Sequence, residues 1–245
     1  MTDVLLIGIG TGNPAHVTRE AQDALRSAAL ILVPRKGPDK SDLAELRHQI
    51  IAEAGATAPI VAFDYPERDP ALPYLERVEA WHDEIAHRWT TAIAKAPKGS
   101  IALLVWGDPS LYDSTLRIAR RLNPKPTIRM IPGITSLQAL TAAHAIPFNT
   151  LGGAVTVSTG RRLREEGWPD GAETMVVMLD GDCSFQTLPG DQFDIWWGAF
   201  LGMPEQVLCA GRLKDVTDRI VALRTEARAD HGWIMDTYLL RHRSG

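Results

Sequence analysis

Short, nearly uninterrupted apolar runs alternate along this chain with longer stretches in which apolar residues recur every three or four positions. The runs at 4–9 (VLLIGI), 30–34 (LILVP), 59–63 (PIVAF), 100–106 (SIALLVW) and 127–131 (TIRMI) are bounded by turn residues and read as buried strands. Between them the spacing predicts helices over 17–28, 41–55, 74–95, 114–122 and 136–145. Ser41 and Asp42 suit a helix start and Gly55 its end. Strand and helix alternating in this way predict a parallel α/β sheet. After Pro147 the texture changes. Strands at 154–159, 174–179, 194–201 and 206–213 follow with few helices between them, then a helix over 216–226 and a last strand near WIMDTYLL. That order suits a mixed or antiparallel sheet. Gly152 and Gly153 permit a bend in the NTLGG stretch, so a boundary is expected at 148–153, giving α/β domains over 1–150 and 151–245.

Composition narrows the class without choosing a function. The 245 residues are 45% hydrophobic and 23% charged, ordinary for a soluble globular chain of one large or two small domains. A formal net charge of −4 points to no general nucleic-acid or membrane binding. No apolar run approaches the ~18 residues of a membrane span. The N-terminal MTDVLLIG has no basic leader segment and reads as a first strand. Only Cys183 and Cys209 occur, with no metal spacing, which leaves a cytoplasmic enzyme or binding protein as the expectation.

The first candidate for chemistry is GIGTGNPAHVT, residues 8–18, placed straight after a strand. A dinucleotide loop would read G-x-G-x-x-G. Gly8 and Gly10 fit, but the third required position is Asn13, and the second strand ends in Pro34-Arg35-Lys36 instead of an acid. No GK[ST] follows, so a lysine-bearing phosphate loop is excluded as well. What remains is a tight turn or a different ligand loop. WGDPSLYDS (106–114) and IPGITSLQALTAAHAIPF (131–148) likewise put Gly, Pro and small hydroxyl residues at the carboxyl ends of strands, where open α/β sheets bind ligands. Gly107 and Gly133 would let backbone approach a ligand, and Asp108 could accept from a ribose hydroxyl or an ammonium group.

G-x-G-x-G-N-P-x-x-x-T, then G-D-P-x-x-Y, then P-G-I-T-S with A-I-P downstream, in this order over nearly the whole chain, resembles the tetrapyrrole (corrin/porphyrin) methylase family. The resemblance implies two α/β domains with a cofactor cleft between them, a homodimer, and methyl transfer from S-adenosyl-L-methionine, leaving S-adenosyl-L-homocysteine, to a tetrapyrrole. It implies that the glycine loop borders the active site and holds no dinucleotide. It also implies cofactor contacts at Pro14, Trp106, Gly107, Asp108, Leu111, Thr135, Ser136, Leu179 and Ala210, mostly through backbone, and substrate contacts at Gly10 and Thr11. VPRKG (33–37), DIWWGAFLGMPEQ and GWIMDTYLL are most similar to members that methylate C-1 of precorrin-5 and release its acetyl group as acetate. Methylation at C-11 or C-17 of a precorrin is the alternative within the family. Outside it stand an NAD(P) oxidoreductase and a non-catalytic tetrapyrrole-binding protein. Many members carry Tyr-Met-Gly after the first long strand of the second domain, where this chain has Met178-Leu179-Asp180.

Deacetylation needs a base to orient water, and Tyr112 and Asp113, just beyond the GDP loop, are the candidates. The carboxylate side chains of a precorrin call for cations, for which Arg35, Lys36, Arg161, Arg162 and Arg164 are placed, with a solvated loop as the competing reading. Other features suggest less. The histidines of HDEIAH are five apart, on different helix faces, and read as part of a solvated face, so no metal site is expected. Asp180-Gly-Asp182 reads as a turn in preference to a calcium loop. Of Trp196 and Trp197, which alternate across a strand, one is expected in the core, His144 is expected to have a satisfied ring, and Cys209 to be buried.

Overall fold

The computed structural model describes residues 3–35, 41–94, 98–232 and 234–243, so Lys36 lies outside the described residues. Its contacts divide the chain into two units, Met1–Thr135 and Ser136–Gly245. In the first, β1 (Asp3–Gly8), β2 (Leu30–Arg35), β3 (Ile60–Asp64), β4 (Ser100–Val105) and β5 (Thr127–Ile131) form one sheet in the order β3-β2-β4-β1-β5. Every pairing is parallel. α1 (Arg19–Ser27), α2 (Ser41–Glu53), α3 (Tyr74–Ile93) and α4 (Thr115–Ala119) make the crossovers. Thr18 caps α1 by accepting from the Ala21 N–H at 3.1 Å.

The continuous apolar runs have a direct cause: both faces of this sheet are covered. Leu5, Ile7, Ile31, Val33, Ala102 and Leu104 pack with Ala21, Leu25, Ile50 and Ile51 of α1 and α2. The alternate residues Val4, Leu6, Leu30, Leu32, Ile101 and Leu103 pack with Ile85 and Trp89 of α3 and Ile118 of α4. Neighbouring strands β1 and β4 therefore send their chains to helices on opposite faces. The gap above their carboxyl ends is the switch point where open α/β sheets bind ligands.

The second unit opens with α5 (Ser136–His144) and holds β6 (Val155–Thr159), α6 (Gly160–Glu166), β7 (Thr174–Met178), β8 (Phe193–Ala199), β9 (Val207–Arg212), α7 (Leu213–His231) and β10 (Asp236–His242). The sheet order is β6-β7-β10-β8-β9. β6 and β7 are parallel and the other pairs antiparallel, which makes it the mixed sheet the pattern predicts. The division falls before α5 and not in the NTLGG stretch, because α5 packs on β8, β9 and β10, which come later in the chain. Trp197 is the core tryptophan and Cys209 is buried beside it. The His144 ring meets the Trp197 carbonyl at 3.0 Å, satisfied as expected. Of the HDEIAH histidines, His87 is exposed as expected, but His82 is buried against Trp81, and burial first, then the charge of Arg121, pushes its pKa down. Among the described residues no helix is long and apolar enough to cross a membrane.

Candidate active site

Four glycines lock the switch point of the first unit. Gly10 and Gly107 form an isolated antiparallel bridge, the Gly107 N–H donating to the Gly10 carbonyl at 2.8 Å and the Gly10 N–H to the Gly107 carbonyl at 3.3 Å. Gly10 and Gly107 have φ of 73° and 63°, backbone that glycine adopts without strain. A Cβ on Gly133 would lie 2.1 Å from the Gly107 carbonyl oxygen, and one on Gly8 would lie 2.6 Å from the Gly133 nitrogen. The close approach these glycines permit is thus between three chain segments, those leaving β1, β4 and β5. The N–H groups of Gly10 and Gly107 are spent on each other.

Asp108 completes the junction. Its Oδ2 accepts from the Gly133 N–H at 2.9 Å, while Oδ1 accepts from the Ser110 N–H at 2.8 Å and from the Ser110 hydroxyl. Burial alone would raise this carboxyl, but the bonds from Ser110 and Gly133 outweigh it and hold the pKa below the ordinary range. The carboxylate read from sequence as a ligand acceptor is therefore also the staple between the GDP and PGITS loops. Beyond it, Leu111 is half-buried, and Tyr112 is 44% exposed at a φ of 49°. Asp113 Oδ1 accepts from the Thr115 N–H at 2.6 Å at the start of α4, which fixes the carboxylate. Thr11 is buried, and Pro14 opens a short 3-10 turn, Pro14–His16, capped by Asn13.

Two residues near this loop escaped sequence reading. Arg47 of α2 is 3% exposed, with its guanidinium 4.8 Å from the Trp106 ring centroid. Burial pushes its pKa down to about 10, against the opposing influence of Tyr65 and Asp113. Tyr65, just past β3, stacks on Trp81 with centroids 5.5 Å apart, and burial pushes its phenol up. The signal for Arg47 was present. It shares the stripe of buried Ile50, Ile51 and Ala54, at spacings where an apolar residue belongs.

The structure gives the cations read from sequence local partners. Arg35 forms a two-pronged pair with Asp64, at 3.1 and 3.0 Å. Arg162 pairs with Glu166 one turn on, and Arg164 reaches Asp182 at 2.8 Å. Arg161 stands exposed in the first turn of α6. Leu179 directly follows β7, 64% exposed and left-handed with φ of 53°. Ala210 lies opposite Trp196 on β9, on the face away from buried Trp197 and Cys209. Thr135 ends the first unit beside Gly107, and Ser136 begins α5. No group of three or more histidine, cysteine or acidic side chains that could hold a metal occurs among the described residues.

Known proteins resemble this chain in sequence and fold. The family model for Tetrapyrrole (Corrin/Porphyrin) Methylases matches residues 3–217. A precorrin-6A synthase (deacetylating) from a Sinorhizobium species is 44% identical over 98% of this chain and 95% of its own length. The crystal structure of a cobalamin synthesis related protein from Corynebacterium diphtheriae superposes with a TM-score of 0.87 at 41% identity, covering 100% of both chains. The uroporphyrin-III C-methyltransferase of Thermus thermophilus, solved in complex with S-adenosylhomocysteine, shares the fold at a TM-score of 0.61 and 18% identity, covering 98% of this chain and 97% of its own. With the glycine loop, the GDP loop and the PGITS loop converging at one switch point, the chain belongs to the tetrapyrrole (corrin/porphyrin) methylases.

Proposed function

We propose that the chain methylates C-1 of precorrin-5 with S-adenosyl-L-methionine as donor and releases the acetyl group as acetate, giving precorrin-6A. The observation that carries this reading is the 44% identity, over nearly full length, to a precorrin-6A synthase (deacetylating). The donor would supply a methyl group already activated by its sulfonium charge. The protein's task is then alignment and exclusion of water, a contribution of up to ~7–11 kcal/mol. The residues suit that task. The backbone junction of Gly8, Gly10, Gly107 and Gly133 gives the flanking loops a rigid base. Residues 106–108, Leu111, Thr135 and Ser136 on those loops, with Pro14, Leu179 and Ala210, would hold the donor.

The acetyl group sets a second task. Water adds to its carbonyl carbon, its two protons passing by way of a base to solvent, the bond to C-1 breaks and acetate leaves; the electron pair, delocalised over the conjugated ring, remains on C-1 and would form the new bond to the methyl group as that group's bond to sulfur breaks. Asp113, its carboxylate fixed by the Thr115 N–H, and Tyr112 orient the water. Arg35, Arg161 and Arg162, with Gly10 and Thr11, would meet the substrate, Lys36 lying outside the described residues. The reading carries a homodimer, which light scattering checks. The deciding experiment is mass spectrometry on purified protein with S-adenosylmethionine and precorrin-5, tracing acetate in the same tube. Gain of one methyl, loss of one acetyl and release of acetate are expected. Methyl gain without acetate would move the reaction to another carbon.

A further inference from the structure

The loop after β7 combines two costs at one residue. Leu179 holds a left-handed backbone that a branched side chain disfavours, and its apolar side chain is 64% exposed. Cys183, four residues on, is also left-handed, with φ of 53°. Between them sits Asp180, only 6% exposed, whose carboxylate accepts four hydrogen bonds. Oδ1 takes the Asp182 N–H at 3.1 Å and the Ser184 hydroxyl at 2.8 Å. Oδ2 takes the Ser184 N–H at 2.6 Å and the Tyr238 hydroxyl at 2.7 Å. Arg224 of α7 donates to the Asp180 carbonyl at 2.8 Å, and its Nε donates to Asp236, which also accepts from the Trp197 indole. On the remaining side Gly160 leaves the room: a Cβ there would lie 2.2 Å from Asp180 Oδ1.

Elements far apart in sequence thus converge on Asp180, and what they fix, at its carboxylate and its carbonyl, is the residue that directly follows Leu179. We propose that Asp180 and Tyr238, with Ser184 and Arg224, are positioning residues that hold exposed Leu179 in its left-handed conformation for the methyl donor, setting donor affinity without touching it. The inference rests on the donor assignment made above. Burial, with Asp180 and Asp236 beside it, pushes the Tyr238 phenol well above its ordinary pKa, so it remains a hydrogen-bond donor at working pH.

The experiment measures S-adenosylhomocysteine binding by calorimetry, and amide exchange of Asp182 and Ser184 in the protein without ligand. The variants are Asp180→Asn, Tyr238→Phe, Leu179→Gly and the Asp180→Asn/Leu179→Gly pair. Asp180→Asn and Tyr238→Phe should each weaken binding about ten-fold, the scale of one lost hydrogen bond to a charged group, and speed exchange at both amides. Adding Leu179→Gly should recover most of the binding lost in Asp180→Asn, because glycine adopts the left-handed backbone unaided. A purely structural network would leave that loss unrecovered, which overturns the proposal. So does unchanged affinity in a folded Tyr238→Phe protein, the variant that removes one hydroxyl should Asp180→Asn not fold. Wild-type protein that fails to bind S-adenosylhomocysteine overturns the donor assignment itself, and the positioning role with it.

Discussion

Gly133→Ala tests the glycine junction most directly. The added Cβ would lie 2.1 Å from the Gly107 carbonyl oxygen and 2.8 Å from the Gly8 carbonyl carbon. To reach even 3.0 Å, the shortest separation real Cβ atoms tolerate, the segments must part by about 0.9 Å. Both obstacles are backbone, so no rotamer change relieves the clash. Parting them strains the Gly10–Gly107 bridge and the bond from the Gly133 N–H to Asp108, at 2.9 Å. Overpacking of this kind costs about 1–3 kcal/mol, and each weakened hydrogen bond about 0.5–1.5 kcal/mol more. The expected loss is therefore at least about 2 kcal/mol. Urea unfolding followed by circular dichroism and tryptophan fluorescence measures it, with the two probes compared because the chain has two units. Gly181→Ala is the control: a Cβ there meets no atom within 4 Å and the backbone is not left-handed, so its effect should stay within about 0.5 kcal/mol. If Gly133→Ala is as mild as Gly181→Ala, the three segments do not pack backbone to backbone and the account of the junction is wrong.

Three further outcomes follow from the first unit. Asp108→Asn should loosen the staple, since an amide has one oxygen and cannot accept from both the Gly133 N–H and Ser110; because the native carboxyl is held below its ordinary range, the stability it adds is present above about pH 4 and lost as pH falls through its lowered pKa, so amide exchange of Gly133 should accelerate on acidification in the wild type and be pH-flat in the variant after correction for intrinsic rates. Arg47→Met removes a charge whose burial, at a pKa of about 10, costs on the order of 3 kcal/mol. Its melting temperature should not fall, whereas turnover should drop at least about ten-fold if the guanidinium is kept for chemistry; turnover at the wild-type level would assign Arg47 to packing. Arg35→Ala breaks an exposed pair with Asp64, worth less than about 1 kcal/mol, so stability should hold while the Michaelis constant for the precorrin rises and loses salt dependence.

Much of the fold was legible because burial on both faces turns a parallel strand into an unbroken apolar run. The runs at 4–9, 30–34 and 100–106 became β1, β2 and β4, the central strands. What sequence missed has physical reasons. α6 (GRRLREE) buries little beyond Leu163, too little to show a helical period. The membership of α5 depends on partners that appear later in the chain. Asp108 reads as a ligand acceptor because sequence cannot show the Gly133 N–H coming to it from the loop after β5. Asp180-Gly-Asp182 reads as a turn, and is one, but the hydroxyl of Tyr238 that gives the turn its purpose lies 58 positions away.

The two units reach rigid loops by opposite means. The first removes side chains: glycines let backbone bond to backbone, and one carboxylate staples the result. The second adds a buried carboxylate, and surrounds it with donors from α7, β10 and the 3-10 turn Ser184–Thr187. A glycine at 180 could not accept from Tyr238, Ser184 and Asp182, and those donors would be buried without partners at a cost of about 1–3 kcal/mol each. The aspartate is thus tied to Gly160, Arg224 and Tyr238 as a set. Substituting one member alone leaves the others' polar groups stranded, so single variants here should couple strongly. A double-mutant cycle on Asp180→Asn and Tyr238→Phe should depart from additivity by more than about 0.5 kcal/mol, and additive effects would refute the coupling.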